Sequence, residues 1–196
     1  MLETASATLD EPTPHAAWPA LLEHFYSQKG RQLPYLERLK GEEVEEPYKT
    51  LLVHSSDMTP TLENFFRQRL GLTVLGRERR DLCYYREVVL NIVQEARPVE
   101  YGVIRIYLDH FPTKARKCVL EERQPLGDIL RTESIPHLSW PQAFFRVEAD
   151  AHMRAVLCLN HPGFLYGRRN LLLDGSRRML AEVIEVLAPV EKRWSR

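Results

Sequence analysis

Strand-like segments recur along the chain after residue 71, several of them joined by short turns, and they constrain the fold more than any other feature. Side chains of a strand alternate between two faces, and these segments carry the alternating apolar and polar residues that a half-buried sheet needs. Short turns join antiparallel neighbours, whereas parallel strands need a crossover of about a dozen residues or more. The sequence therefore predicts an α+β domain with a single antiparallel sheet, whose helices pack on one face and act as flaps. The predicted strands span residues 72–79, 82–95, 98–108, 143–148, 166–174 and 178–187.

The first 47 residues carry a predicted helix and an acidic segment but none of the predicted strands. We predict that residues 1–47 form an N-terminal leader, partly mobile, with one helix and an acidic linker at 41–47. Residues 48–196 are then predicted to form the folded domain. The leader helix is predicted from apolar residues at the spacing i, i+3, i+4, i+7 and i+8, which are Trp18, Leu21, Leu22, Phe25 and Tyr26. Further helices are predicted over residues 48–54, 59–71, 126–131 and 150–157.

Composition and charge exclude several classes of protein. The 27 basic and 27 acidic residues give a net charge of zero, so no overall field attracts the protein to nucleic acid or to an anionic membrane. No apolar run approaches the roughly 20 residues of a transmembrane helix, and the first residues do not resemble a signal peptide. Cys83, Cys118 and Cys158 are odd in number and widely spaced, which is typical of reduced thiols. We therefore expect a cytoplasmic monomer or weak dimer with no nucleic-acid partner and no membrane span.

Sequence motifs for metal, cofactor or nucleophile chemistry are missing. The 7 His residues form no pair at i, i+4, and no Cys–His spacing matches a zinc site. The chain has no G-x-S-x-G elbow, no phosphate-binding P-loop and no G-x-G-x-x-G dinucleotide motif. The sequence therefore predicts a protein without a metal ion or cofactor.

Arg86 is the residue that stands out, because it occupies an apolar face of a predicted strand. Period-two alternation groups it with Leu82, Tyr84, Val88 and Leu90. An unpaired guanidinium in a core costs several kcal/mol, so an inward-pointing Arg86 requires an anionic partner. One candidate is a protein carboxylate, such as Glu100 on the neighbouring strand. The other is the carboxylate of a ligand, which a planar Arg fork holds through two parallel hydrogen bonds.

The surroundings of Arg86 resemble a known family, the bacterial chorismate lyases. These enzymes convert chorismate to 4-hydroxybenzoate and pyruvate. Four stretches between about residues 50 and 190 are similar to the family and follow its order. They are Ser56-Asp57-Met58-Thr59, the strand Tyr84-Tyr85-Arg86-Glu87-Val88-Val89-Leu90, Pro125-Leu126-Gly127-Asp128-Ile129-Leu130, and Leu165-Tyr166-Gly167-Arg168-Arg169. The last stretch is followed by a turn Gly and a final strand that carries Glu, as in the family.

The resemblance implies a cofactor-free lyase with chorismate as substrate and a hydroxybenzoate as product. By this resemblance Arg86 would hold the ring carboxylate, assisted by the main chain near Met58 and Leu126. Loss of pyruvate yields an aromatic ring, so the protein needs only to hold the substrate, orient it and exclude water. The early helices would cover the site as flaps.

The acid of the implied site has two candidates on the final strand. Glu182 and Glu185 lie on opposite faces of that strand, and both have apolar neighbours. We favour Glu182 as the group that hydrogen-bonds the 4-oxygen, since the run Leu-Ala-Glu-Val-Ile fits the family pattern without a gap, and keep Glu185 as the alternative. Arg169 shares its face with Leu165, Leu171 and Leu173, so it is predicted to enter the pocket rather than Arg168; structural pairing is the alternative.

Two other functions remain open. The same fold serves as the ligand-sensing (UTRA) domain of bacterial transcription regulators, and Pro98-Val-Glu-Tyr101 is similar to a motif of those domains. A non-catalytic domain that binds a small carboxylate is therefore the first alternative. The long leader and an insertion at about 150–164 depart from the lyase pattern, so an inactive relative with an interaction role is the second.

Overall fold

The structure is a computed structural model that describes residues 18–190. The first 17 residues of the predicted leader and the last six of the chain lie outside the described residues. The strands are β1 (Leu36–Leu39), β2 (Leu70–Arg80), β3 (Cys83–Ile92), β4 (Arg97–Tyr107), β5 (His137–Glu148), β6 (Phe164–Asp174) and β7 (Met179–Leu187). The α-helices are α1 (Ala20–Gln28), α2 (Tyr48–Leu52), α3 (Met58–Phe66), α4 (Thr113–Glu121), α5 (Leu126–Thr132) and α6 (Ala151–Val156).

Within the described residues, one 7-stranded sheet organises the fold. Its strand order is β1-β5-β6-β7-β4-β3-β2, and every neighbouring pair is antiparallel. Short turns close the hairpins, and Asp174 shapes the last one by accepting hydrogen bonds from the main-chain N–H groups of Ser176 and Arg178. The predicted α+β class with a single antiparallel sheet is confirmed.

The sheet has two faces, which we call the pocket face and the far face. Each is defined here by four residues that lie side by side on neighbouring strands. The pocket face includes Arg86, Ile104, Val183 and Asn170, which lie beside one another on β3, β4, β7 and β6. The far face includes Glu87, Val103, Ile184 and Arg169 on the same strands. Because side chains alternate, each adjacent pair in sequence is divided between the two faces.

Helices cover both faces, whereas the sequence placed them on one. Helices α2, α3, α4 and α5 pack on the pocket face through residues such as Leu52, Leu62 and Ile129. Helices α1 and α6 pack on the far face through Phe25 and Met153, together with Phe145 of β5. The apolar stripe of α1 explains its position, since it would otherwise be exposed to water. No helix among residues 18–190 combines the length and apolar character needed to cross a membrane.

The segment at 18–46 is part of the same packed body as the rest. Helix α1 joins the far-face core, and β1 pairs with β5 from Leu36↔Val147 to Leu39↔Phe144. Residues 18–46 therefore share one sheet and one core with the residues that follow. Strand β1 and helix α4 were not predicted, because β1 is only 4 residues long and α4 begins after Pro112 in a stretch of mixed polarity.

Candidate ligand-binding site

An internal pocket lies between the pocket face and the first residues of α3 and α5. Its floor includes Val88, Leu90 and Ile104. Its cavity volume is about 60 Å³, whereas an engineered apolar cavity of about 150 Å³ accommodates benzene. The pocket is therefore pre-formed but smaller than that cavity.

Arg86 contributes the charge of this pocket. Its side chain is 2% exposed, and its Nε and Nη1 atoms have no hydrogen-bond partner among the described residues. Burial lowers the pKa of Arg86 to about 10, with Tyr84 and Glu122 opposing that shift. The group therefore remains a cation at neutral pH. Glu122 accepts hydrogen bonds from Tyr84 and Arg77, and its charge acts on Arg86 from nearby without a hydrogen bond or ion pair between them.

Glu100 also lines the pocket, and it does not pair with Arg86. It is 4% exposed, and its Oε2 atom has no hydrogen-bond partner among residues 18–190. Burial raises the pKa of Glu100 well above its ordinary range, the nearby Glu185 raises it further, and Arg168 acts in the opposite direction. The structure thus places a cation and a carboxyl with a raised pKa in one pocket without an ion pair between them.

Further polar atoms of the pocket wall have no hydrogen-bond partner within residues 18–190. Asn170 donates to Ser139 Oγ through Nδ2 at 2.8 Å, while its Oδ1 has no partner in the described part of the chain. Asp57 accepts from His137 through Oδ2 at 2.8 Å, and its buried Oδ1 is likewise without a partner. Buried polar groups are normally hydrogen-bonded, so a cluster of unsatisfied ones indicates a site that binds something polar.

Glu185 lies in the pocket wall and is ion-paired with Arg168. The Arg168 Nε donates to Glu185 Oε2 at 2.5 Å, and the Arg168 side chain is fully buried. Its remaining nitrogens donate to the carbonyl oxygens of Leu52 and His54 at 3.2 and 3.1 Å, and of Ser56 at 3.1 Å. Arg168 is therefore a positioning residue, since it fixes the loop that leads into α3.

Met58 and Leu126 are the first residues of α3 and α5, and both line the pocket. The two helices approach closely at Gly127, where a Cβ atom would lie 3.1 Å from Thr59 Oγ1. The Pro-Leu-Gly segment thus begins a helix, presents Leu126 to the pocket and permits contact with α3. The structure brings Met58, Arg86 and Leu126 together, as the resemblance implied, although their roles in binding stay predictions.

Glu182 and Arg169 lie elsewhere, and their predicted placement beside Arg86 is corrected by the structure. Both belong to the far face, where Glu182 accepts from Arg169 Nε at 2.7 Å and from Arg105 Nη2 at 2.5 Å. The alternative acid, Glu185, is the one in the pocket. The register explains the difference, because Arg86 pairs with Ile104 and Ile104 with Val183, which puts Glu185 on the face of Arg86 and Glu182 on the opposite one. Sequence periodicity alone did not distinguish the two faces.

Sequence reasoning missed Asn170 and considered Glu100 only as a partner for Arg86. A usable signal for Glu100 was present, since it is the one charged residue within the apolar run Pro98–Ile104. No signal distinguished Asn170, whose position follows from strand pairing. No group of three or more His, Cys, Asp or Glu side chains that could hold a metal ion occurs among the described residues.

Comparisons with known proteins identify the fold. No family model and no curated protein matches this sequence. Among solved structures, PhnF from Mycobacterium smegmatis matches with a TM-score of 0.52 and 9% identity over 85% of this chain and 93% of PhnF. The effector domain of PhnF matches with a TM-score of 0.51 and 10% identity over 67% of this chain and 87% of that domain. YydK from Bacillus subtilis, titled a possible transcriptional regulator, matches with a TM-score of 0.51 and 11% identity over 90% of this chain and 94% of YydK.

These likenesses establish a shared fold and, at such low identity, nothing finer. They confirm the UTRA-like form of the predicted fold. Membership of the chorismate lyase family, implied by four short stretches of sequence, stays a prediction. The chain therefore has the architecture found in PhnF and YydK, with a pocket whose buried cation has no hydrogen-bond partner within residues 18–190.

Proposed function

We propose that this protein binds a small organic carboxylate in the pocket, with the carboxylate held by Arg86. The observation that supports this most strongly is the guanidinium of Arg86, whose Nε and Nη1 have no partner in the part of the chain that the structure describes, and which is 2% exposed and still cationic at neutral pH. Burying such a charge without a partner costs several kcal/mol, and a bound carboxylate would offset that cost through two parallel hydrogen bonds. The fold shared with an effector domain supports a binding function of this kind.

The lining of the pocket favours a flat, mainly apolar ligand. Val88, Leu90, Ile104 and Leu126 offer aliphatic surface on both sides of the cavity, which suits a ring. The small cavity volume favours a single ring, admitted by movement of α3 or α5. A hydroxybenzoate, or chorismate itself, is the ligand that the sequence resemblance implies.

A second function, the lyase reaction, is favoured by the presence of a carboxyl with a raised pKa in the same pocket. In that reaction the ring loses the hydrogen at C4 and the enolpyruvyl ether at C3, giving 4-hydroxybenzoate. The departing enolpyruvate takes up a proton and becomes pyruvate. Glu100 or Glu185 would supply or accept these protons, while Arg86 holds the ring. The cytoplasmic location and the monomeric or weakly dimeric state stay predictions for either function.

One pair of assays tests both functions. Purified protein is incubated with chorismate, with and without EDTA; pyruvate is followed by a coupled dehydrogenase and the aromatic product by chromatography. In parallel, 4-hydroxybenzoate is titrated calorimetrically. Pyruvate above the spontaneous rate identifies a lyase, and undiminished release in EDTA agrees with a metal-free reaction. Binding without turnover identifies a sensor-type domain. A folded protein that shows neither contradicts the proposed site.

A further inference from the structure

We infer that Glu100 is the polar recognition group at the other end of the pocket: an uncharged carboxylic acid that hydrogen-bonds an oxygen of the ligand distal to its carboxylate. This inference rests on the proposed function, because it assumes that Arg86 holds the carboxylate. It identifies the ligand class as a monoanion with one carboxylate and an uncharged oxygen across the ring. It also assigns the acid of the pocket to Glu100 of β4 rather than to a glutamate of the final strand.

The position of the Glu100 carboxyl supports this assignment. Glu100 lies beside Leu90 of β3 and Leu187 of β7, two apolar neighbours. A Cβ atom at Gly102 would lie 3.4 Å from Glu100 Oε1, so the carboxyl bends along β4 over residue 102. That direction leads towards Ile104, the β4 residue directly beside Arg86. The two groups therefore face the same cavity from different ends, and glycine at 102 leaves room for the carboxyl.

The charges around Glu100 determine its protonation state. Glu185 has its own cation, since it is paired with Arg168 at 2.5 Å. The other donors of Arg168 are used by main-chain carbonyl oxygens of the loop before α3. Glu100 forms no ion pair within residues 18–190, and its buried Oε2 has no partner there. When two carboxyls share a buried site and only one has a cation, the other retains its proton, and the pKa of Glu100 is accordingly raised well above its ordinary range.

A protonated carboxyl donates one hydrogen bond. At the Glu100 end of the pocket no other charged group is available to donate it, because Arg86 holds the ligand carboxylate at the opposite end and Glu185 is ion-paired with Arg168. The chemistry of the pocket is thus asymmetric, with a cationic fork at one end and a neutral donor at the other. Asn170 Oδ1, which has no partner in the described residues, is an acceptor in the same row as Arg86 and Ile104 rather than beside Glu100. A hydroxyl at the far end of the ring accepts the hydrogen bond that the Glu100 carboxyl donates.

The test is the ratio of the affinities for 4-hydroxybenzoate and benzoate, measured by titration calorimetry at pH 7. Wild-type protein is compared with Glu100→Gln, which retains a neutral donor, and with Glu100→Leu, which removes it. Glu182→Gln, a buried glutamate of the far face, is the matched control. We expect wild type to bind 4-hydroxybenzoate about tenfold more tightly than benzoate, which is the scale of one hydrogen bond. Glu100→Gln and Glu182→Gln should keep that ratio, and Glu100→Leu should reduce it to about one.

Each result has a definite meaning. An unchanged ratio in Glu100→Leu overturns the inference while leaving carboxylate binding at Arg86 intact. A ratio lost equally in Glu100→Gln and Glu100→Leu also overturns it, because an ionised acceptor rather than a neutral donor would then be required. Absence of binding of both benzoates to folded wild type contradicts the proposed function, and the inference with it. If Glu100→Leu does not fold, Glu100→Met replaces it, and Glu100→Gln alone still tests the charge state.

Discussion

Arg86 and Glu87 are adjacent in sequence and both are buried, yet their surroundings differ completely. Glu87, on the far face, is fully buried and accepts hydrogen bonds from His152 at 2.7 Å, from Tyr101 at 2.9 Å, and from Lys29. Arg86, on the pocket face, is 2% exposed, and two of its nitrogens have no partner among the described residues. A buried charge is therefore not by itself a sign of a binding site. The informative feature is a buried charge that the protein leaves unsatisfied.

Glu182 and Glu100 show the same contrast. Glu182 is held between Arg169 and Arg105 on the far face, where its charge is neutralised. Glu100, on the pocket face, has no such partner among the described residues, and burial keeps its pKa well above the ordinary range. Ion pairs join strands on both faces, Glu182 with Arg169 and Arg105 on the far face and Glu185 with Arg168 on the pocket face, but the pocket face also carries Arg86 and Glu100, for which no ion pair occurs among residues 18–190.

The largest expected effect comes from replacing Arg86. Arg86→Met and Arg86→Lys should lower the affinity for 4-hydroxybenzoate by about 100- to 1000-fold, because both remove the two-pronged hydrogen bonding to the carboxylate. Arg86→Met should at the same time raise the free energy of unfolding by about 1–3 kcal/mol, since it removes an unpaired buried cation. Calorimetry and urea denaturation measure the two quantities.

The sign of the stability change distinguishes a ligand-binding Arg86 from a structural one. Burial lowers the pKa of Arg86 to about 10, so carrying the charge destabilises the fold at all pH values below that range. If Arg86 instead supported the fold, its truncation would lower the free energy of unfolding and leave ligand affinity unchanged. Arg86→Lys that binds hydroxybenzoate like wild type would show that the carboxylate is held elsewhere.

Glu87→Gln should lower the stability of the fold and leave ligand affinity unchanged, the opposite of what is expected for Arg86→Met. Burial raises the pKa of Glu87, but hydrogen bonds from His152, Lys29 and Tyr101 outweigh it and lower the pKa to about 2. The ionised group therefore stabilises the fold fully above about pH 4.5, and this contribution is lost as the pH falls towards 2. We expect Glu87→Gln to lose about 2–3 kcal/mol of stability at pH 7 and little at pH 2–3, measured by urea denaturation across that range. Its hydroxybenzoate affinity should match that of wild type, and a parallel loss of affinity would show that the two faces are coupled.

The smallest expected effect is that of Glu182→Gln on binding. Because Glu182 lies on the far face, this variant should change the affinity for 4-hydroxybenzoate by less than about threefold. Glu185→Gln, in the pocket, should change it more, since it frees Arg168 from its ion pair and loosens the loop before α3. A larger effect at Glu182 than at Glu185 would restore the original assignment from the sequence and contradict the division between the faces.

The sequence correctly predicted that Arg86 lies on an apolar face, but it did not predict which glutamate lies beside it. Arg86 was recognised because period-two alternation is a local property, and the structure retains it. The choice between Glu182 and Glu185 was not local, since both had apolar neighbours and only the β3–β4 and β4–β7 registers show which one shares the face of Arg86. The strand pattern predicted one antiparallel sheet, but β1 is 4 residues long and is a strand only because it pairs with β5. The pairing of strands that are distant in sequence therefore determined which glutamate lies in the pocket and whether residues 36–39 form a strand.

The central claim, that the pocket recognises a carboxylate through Arg86, is tested most directly on unmodified protein. Titration calorimetry at pH 7 compares 4-hydroxybenzoate with its methyl ester, which keeps the ring and the hydroxyl but has no charge. Recognition by a buried cation predicts that the acid binds about 100-fold or more tightly than the ester. Equal affinities for the two, or tighter binding of the ester, would contradict carboxylate recognition by Arg86.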